Sequence, residues 1–161
     1  MLKQVITKNS KRYGSLTVHF VQLSARFAMT GTIHHVEIYV SNLQQSTQFW
    51  QWLLTEKFNY TVYQQWDSGI SFKYRDTYLV FVQTEKQYNG TMYHRKHTGL
   101  NHLAFHCPSR EFIDQLTDEL RSKNIPILYH DKHPFAGGEG YYAVFFEDPD
   151  RIKVEVVVSA F

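Results

Sequence analysis

Two stretches of the chain are written to one pattern, and a strand that recurs in this way constrains the chain to build two similar modules. Ile33-His34-His35-Val36-Glu37-Ile38-Tyr39-Val40 and Gly99-Leu100-Asn101-His102-Leu103-Ala104-Phe105-His106 are both apolar, β-prone runs with histidine near the start. Each is followed by turn residues and then by a helical pattern. Side chains alternate across a strand, so His35, Glu37 and Tyr39 share one face, opposite His34, Val36, Ile38 and Val40. The second stretch sorts in the same way, with His102, Ala104 and His106 opposite Leu103 and Phe105. One face of each strand can pack on a helix while the more polar face looks elsewhere, and His35 and His102 hold matching positions.

The pattern continues through both modules. After the first strand, Ser41 or Asn42 can cap a helix with the apolar positions Leu43, Phe49, Trp50, Leu53 and Leu54. Strands are then predicted over Thr61–Gln65, Ile70–Tyr74 and Tyr78–Gln83, separated by turns at Asp67-Ser68-Gly69 and Arg75-Asp76. A polar connection, Gln87–Gly99, leads to the second module. There Ser109 caps a helix carrying Phe112, Ile113, Leu116 and Leu120 on one side, and Asn124 ends it. Strands follow at Ile127–His130, Tyr141–Phe146 and Ile152–Val158, with Phe135–Gly140 as a glycine-rich loop and Asp148-Pro149-Asp150 as a tight turn. The order β-α-β-β-β therefore occurs twice, over about residues 32–84 and 100–159.

A chain of 161 residues, 43% hydrophobic and 16% aromatic, is too apolar to be disordered and holds no run long enough to span a bilayer. The reading is a soluble, cytoplasmic protein, with one domain over residues 29–161. The single cysteine, Cys107, excludes an internal disulfide and a zinc finger. Residues 1–28 differ from the rest: they hold five basic residues and no acid, leaving twelve basic and fifteen acidic residues in the remainder. This basic extension reads either as an organellar targeting peptide or as an upstream extension, within which residues 15–23 alternate like a strand. A mildly acidic domain gives no reason to expect a nucleic-acid partner.

Chemistry enters through the last strand, where Lys153, Glu155 and Val157 share a face between the apolar Ile152, Val154 and Val156. A carboxylate in so apolar a strand is costly to bury without a metal ion or a cation as partner. With His35 and His102 it forms a set of two imidazoles and one carboxylate on module-related strands. That set suits one divalent ion such as Fe(II), Mn(II), Zn(II) or Ni(II), with coordination positions left for water and substrate. Glu37, on the His35 face, can orient a ligand, take a substrate proton, or pair with Arg95 or Lys153. Tyr93-His94-Arg95-Lys96-His97 offers cationic donors to an anionic substrate or is a solvated loop, and Gly137-Gly138 is either a lid or a plain connection.

These residues resemble the vicinal oxygen chelate superfamily, which includes glyoxalase I, fosfomycin-resistance proteins, extradiol dioxygenases and bleomycin-resistance proteins. The likeness covers about residues 32–159. It is carried by the first strand with Ser41-Asn42-Leu43 and Phe49-Trp50, by Leu100–Phe105, and by Phe146-Glu147-Asp148-Pro149-Asp150-Arg151-Ile152-Lys153-Val154-Glu155-Val156. It implies an α+β fold in which paired βαβββ modules form a cupped, partly open mixed β-sheet barrel with flanking helices, around a metal held by His35, His102 and Glu155. Glyoxalase I has a further Glu on the last strand of its first module. Sliding Asp76–Val82 against Asp150–Val156 places Phe81 at that position, so glyoxalase I activity is not expected.

Ligand count matches the fosfomycin-resistance proteins and extradiol dioxygenases better. The first group carries a basic residue beyond its last strand, where this chain has only Val157-Val158-Ser159-Ala160 before Phe161. The second uses a histidine and a tyrosine near the metal, for which His94, His97, His106, Tyr141 and Tyr142 are the candidates. The expectation is a metal-dependent lyase, transferase or dioxygenase of this type, acting as a homodimer on a small oxygen-bearing substrate whose developing charge the ion stabilises. Arg95, His97 and Tyr142 are the expected substrate contacts. The alternative is a metal-free, bleomycin-resistance-like protein that sequesters its ligand in an aromatic groove.

Overall fold

The computed structural model describes residues 31–90 and 93–158. The basic extension and its predicted strand at 15–23 lie outside the described residues, and Ile33–Phe161 forms one compact unit. Its first module runs β1 (His35–Val40), α1 (Leu43–Gln51), β2 (Thr61–Trp66), β3 (Gly69–Tyr74) and β4 (Thr77–Gln83). The second runs β5 (His102–Cys107), α2 (Arg110–Ser122), β6 (Ile127–Leu128), β7 (Ala143–Glu147) and β8 (Lys153–Val158). The two sheets have the orders β1-β4-β3-β2 and β5-β8-β7-β6. In each, the first strand pairs in parallel with the last, since the helix carries the chain back before the antiparallel meander returns it. The α+β architecture of twin βαβββ modules holds. The sheets stay separate rather than closing into a barrel.

Local chemistry accounts for the helix boundaries. Asn42, rather than Ser41, caps α1, its Oδ1 accepting from the Gln45 N–H at 3.1 Å. Ser109 caps α2 through the Phe112 N–H at 3.3 Å, and Asn124 leaves it with a φ of 55°. Beyond α1 the helix widens into π-helical turns over Trp52–Lys57, which bury Trp52, Leu53 and Leu54 in succession. β6 is shorter than expected. It stops at Leu128 because Tyr129 takes a φ of 54°, which an extended strand cannot continue.

Burial follows the alternation. Ile38 and Val40 of β1, Leu79 and Phe81 of β4, and Val154 and Val156 of β8 lie in the core, whereas His35, Glu37 and Tyr39 are exposed. Both modules turn their apolar faces into the same core. Phe49 of α1 approaches Phe146 with ring centroids 6.2 Å apart, Phe58 stacks on Phe105 at 5.1 Å, and Trp50 lies 6.5 Å from Phe105. Lys57 adds an ion pair to Glu119 of α2 at 2.6 Å. Each large apolar side chain buried here contributes about 1.5–3 kcal/mol. The consequence for function is geometric: the faces bearing His35 and Glu155 are both turned away from that shared core. No helix among the described residues is long and apolar enough to cross a membrane.

Candidate metal and substrate site

In the second module, β5 and β8 run side by side, with His102 opposite Lys153 and Ala104 opposite Glu155. From these neighbouring positions His102 Nε2 reaches Glu155 Oε2 at 3.0 Å. The other oxygen of Glu155 accepts a hydrogen bond from the Tyr141 hydroxyl. Glu155 is only 4% exposed, so this buried carboxylate, set among valines on β8, does have the partners that its desolvation demands. Tyr141 in turn has its pKa pushed up to about 12, chiefly because its proton is held by Glu155 and further because the phenol is partly buried. His102 Nδ1 lies 2.8 Å from Asn101 Oδ1, which orients the ring.

His35 stands apart from this pair. Its ring stacks on Tyr78 at 4.9 Å, and its Nδ1 lies 2.9 Å from that of His34. Among the described residues no three His, Cys, Asp or Glu side chains converge on one point. The reason is the packing: both polar faces point away from the common core, so the two modules of one chain do not bring His35 to His102. In donor type and approach, His102 and Glu155 fit a shared divalent ion, and among the described residues no third such side chain of the same chain joins them.

Register also corrects the position of the missing carboxylate. His35 pairs with Tyr78 and Glu37 with Val80, just as His102 pairs with Lys153 and Ala104 with Glu155. The counterpart of Glu155 in the first module is therefore Val80, not Phe81. Phe81 points to the opposite face, where it is fully buried and stacks on Trp50 at 4.7 Å. The slide along the sequence missed by one residue because Asp150 lies three residues before Lys153, whereas Asp76 lies two residues before Tyr78, its register equivalent. The first module still offers no acid at that position.

The remaining candidates are dispersed. Arg95 is ion-paired with Glu147 of β7, which also faces Arg151 at 3.5 Å, so Arg95 is engaged there and not with Glu37. Lys153 sits instead beside the rings of Tyr129 and Phe145, at 5.9 and 5.8 Å. His97 is exposed, its ring 5.2 Å from that of His94. Burial, neighbouring His97 and the cations Arg151, Arg95 and Lys96 hold His94 below the usual histidine range. Tyr142 is turned to α2, where its hydroxyl donates to Asp114 at 2.7 Å under Arg110. Tyr141, one residue earlier, is the tyrosine on Glu155. Sequence reasoning held it only as one of several candidates, because nothing in the pattern tells which of two adjacent tyrosines faces the carboxylate. Glu37 and Tyr39 line a cleft of about 420 Å³ together with Tyr88, Tyr93, Leu100 and Arg151.

A family model described as the Glyoxalase/Bleomycin resistance protein/Dioxygenase superfamily matches residues 32–156. The chain belongs to this superfamily. Within the superfamily it is 54% identical over 128 residues to the YqjT protein of Bacillus subtilis strain 168, covering 80% of this chain and 99% of that one. A crystal structure from Bacillus halodurans, which carries a provisional glyoxalase description, is 57% identical with a TM-score of 0.78. That match covers 80% of this chain and 96% of the other. The fosfomycin resistance protein FosX of Listeria monocytogenes shares the fold at 19% identity and a TM-score of 0.60, over 83% of this chain and 97% of its own. Proteins with such different activities share one scaffold, so the reaction has to be argued from the side chains.

Proposed function

We propose that the protein is a metal-dependent enzyme acting on a small oxygen-bearing substrate. The divalent ion is held by His102 and Glu155 of one chain and by His35 of a second copy. The observation that carries this reading is the 3.0 Å approach of His102 Nε2 to Glu155 Oε2 on adjacent strands, with the carboxylate buried. Both donor types suit Fe, Mn, Zn or Ni. Because the polar faces look away from the core, a His35 face meets a His102–Glu155 pair when two molecules bring those faces together. A two-fold axis would make the exchange reciprocal, giving two sites per dimer.

A bound ion would supply Lewis acidity toward the substrate oxygen. The chain's own residues do the rest. His102 is oriented by Asn101. Glu37, two residues from His35 on the same exposed face and at the edge of the 420 Å³ cleft, is the carboxylate placed to accept a substrate proton. Tyr39, Tyr88 and Tyr93 line that cleft and give a planar or apolar substrate a surface to lie on.

Metal analysis and titration with Mn(II), Fe(II), Ni(II) and Zn(II) test this on the wild type and on His102→Ala and Glu155→Gln. Stoichiometric uptake by the wild type and its loss in both variants is the expected result, to be followed by a screen of diketones, catechols and epoxides with thiols. No uptake of any of the four ions would end the enzyme reading. The tyrosine-lined cleft favours a second one in that event, a protein that sequesters an aromatic ligand without metal.

A further inference from the structure

Glu155 has two oxygens, and only one is directed at His102. The other, Oε1, is taken by Tyr141, which comes from the glycine-rich connection between β6 and β7. Within that connection Gly138 and Gly140 have φ values of 126° and 77°, so their backbone alone asks for glycine. Gly137 has no positive φ, and its missing side chain has a different use. A methyl group built there would come 2.2 Å from Cδ1 of the Tyr141 ring, 2.7 Å from Cε1 and 2.9 Å from Cγ. These atoms lie along the body of the ring, so any side chain at position 137 would push Tyr141 off its seat.

We propose that Tyr141 is a positioning residue for Glu155, seated on Gly137, and that it makes the carboxylate a one-oxygen ligand. This role rests on the metal-site reading above. A carboxylate free to turn can take two coordination positions on an ion, leaving fewer for substrate. A phenol donating to Oε1 holds that oxygen out of the coordination shell and keeps Oε2 on the side shared with His102. Burial of Glu155 at 4% exposure leaves it few other orientations once the bond is made.

Co(II) titration of the full chain, followed by its visible absorption, tests the role on wild type, Tyr141→Phe and Gly137→Ala, with thermal melts of the metal-free proteins to show that each folds. Tyr141→Phe is expected to bind Co(II) about 10–100-fold more weakly. Its absorption should also fall in intensity as the second carboxylate oxygen enters the shell. Gly137→Ala, which alters neither Glu155 nor the phenol, should reproduce both changes. Unchanged affinity and unchanged bands in Tyr141→Phe, beside a wild type that binds Co(II), would overturn the positioning role alone. Wild-type behaviour of Gly137→Ala would overturn the seating on Gly137. A folded wild type that takes up no Co(II) would overturn the metal site itself, and this role with it.

Discussion

Asp148 carries three hydrogen bonds on two oxygens. Its Oδ1 accepts the backbone N–H groups of Asp150 and Ile152 at 2.9 and 2.7 Å, and its Oδ2 accepts the indole N–H of Trp50 at 3.0 Å. It ties the turn before β8 to the helix of the other module. Even so, its pKa is pushed up to about 7, because burial outweighs those donors and the Asp150 carboxylate adds repulsion. The folded protein thus keeps this proton to a higher pH than the unfolded chain, whose aspartates titrate near 3.8. The stabilisation that the proton represents is complete below about pH 3.8 and is lost as pH rises through about 7. The difference amounts to about 4 kcal/mol across that window. Urea unfolding from pH 4 to 8 should show the wild type losing stability against Asp148→Asn as pH rises. Parallel curves for the two proteins would contradict a neutral Asp148. The asparagine also turns an N–H toward the Trp50 donor, so a pH-independent loss of about 1–3 kcal/mol is expected on top.

Among the elements, β4 shows most clearly how a one-residue shift changes chemistry. Its side chains alternate between the core and the His35 face, so Val80 and Phe81, adjacent in sequence, belong to different surfaces. Phe81→Ala removes a fully buried ring stacked on Trp50 and should cost about 3–5 kcal/mol of unfolding free energy in a denaturant titration. A loss below about 1 kcal/mol would place Phe81 on the other face and restore it as the counterpart of Glu155. β6 and the connection after it make the complementary point. Ile127–His130 has the composition of a strand, but Tyr129 leaves the extended region and turns its ring toward Phe145, 5.5 Å away. The chain there covers the face of β7 and β8 instead of extending it, and this cover is what delivers Tyr141 to Glu155.

For the whole molecule, the decisive fact is that both modules point their apolar faces inward to a single core. A site that joins His35 to His102 and Glu155 then requires two chains. Mixing distinguishes this from a site within one chain. His35→Ala and His102→Ala should each fail to bind metal alone. Unfolded together in equal amounts and refolded, they should recover about a quarter of the wild-type capacity, since half the dimers are mixed and each carries one intact site. No recovery would refute a shared site. What the sequence determined by itself was local and periodic: the twin βαβββ modules, the cap at Ser109, and the faces that His35, His102 and Glu155 occupy all follow from spacing and side-chain type. What only the tertiary structure decided depends on contacts between distant segments. Whether Val80 or Phe81 matches Glu155 is set by strand register, and which tyrosine caps the carboxylate by the path of a loop. Whether the modules close over one site within a chain is set by how their helices pack, which no strand pattern encodes.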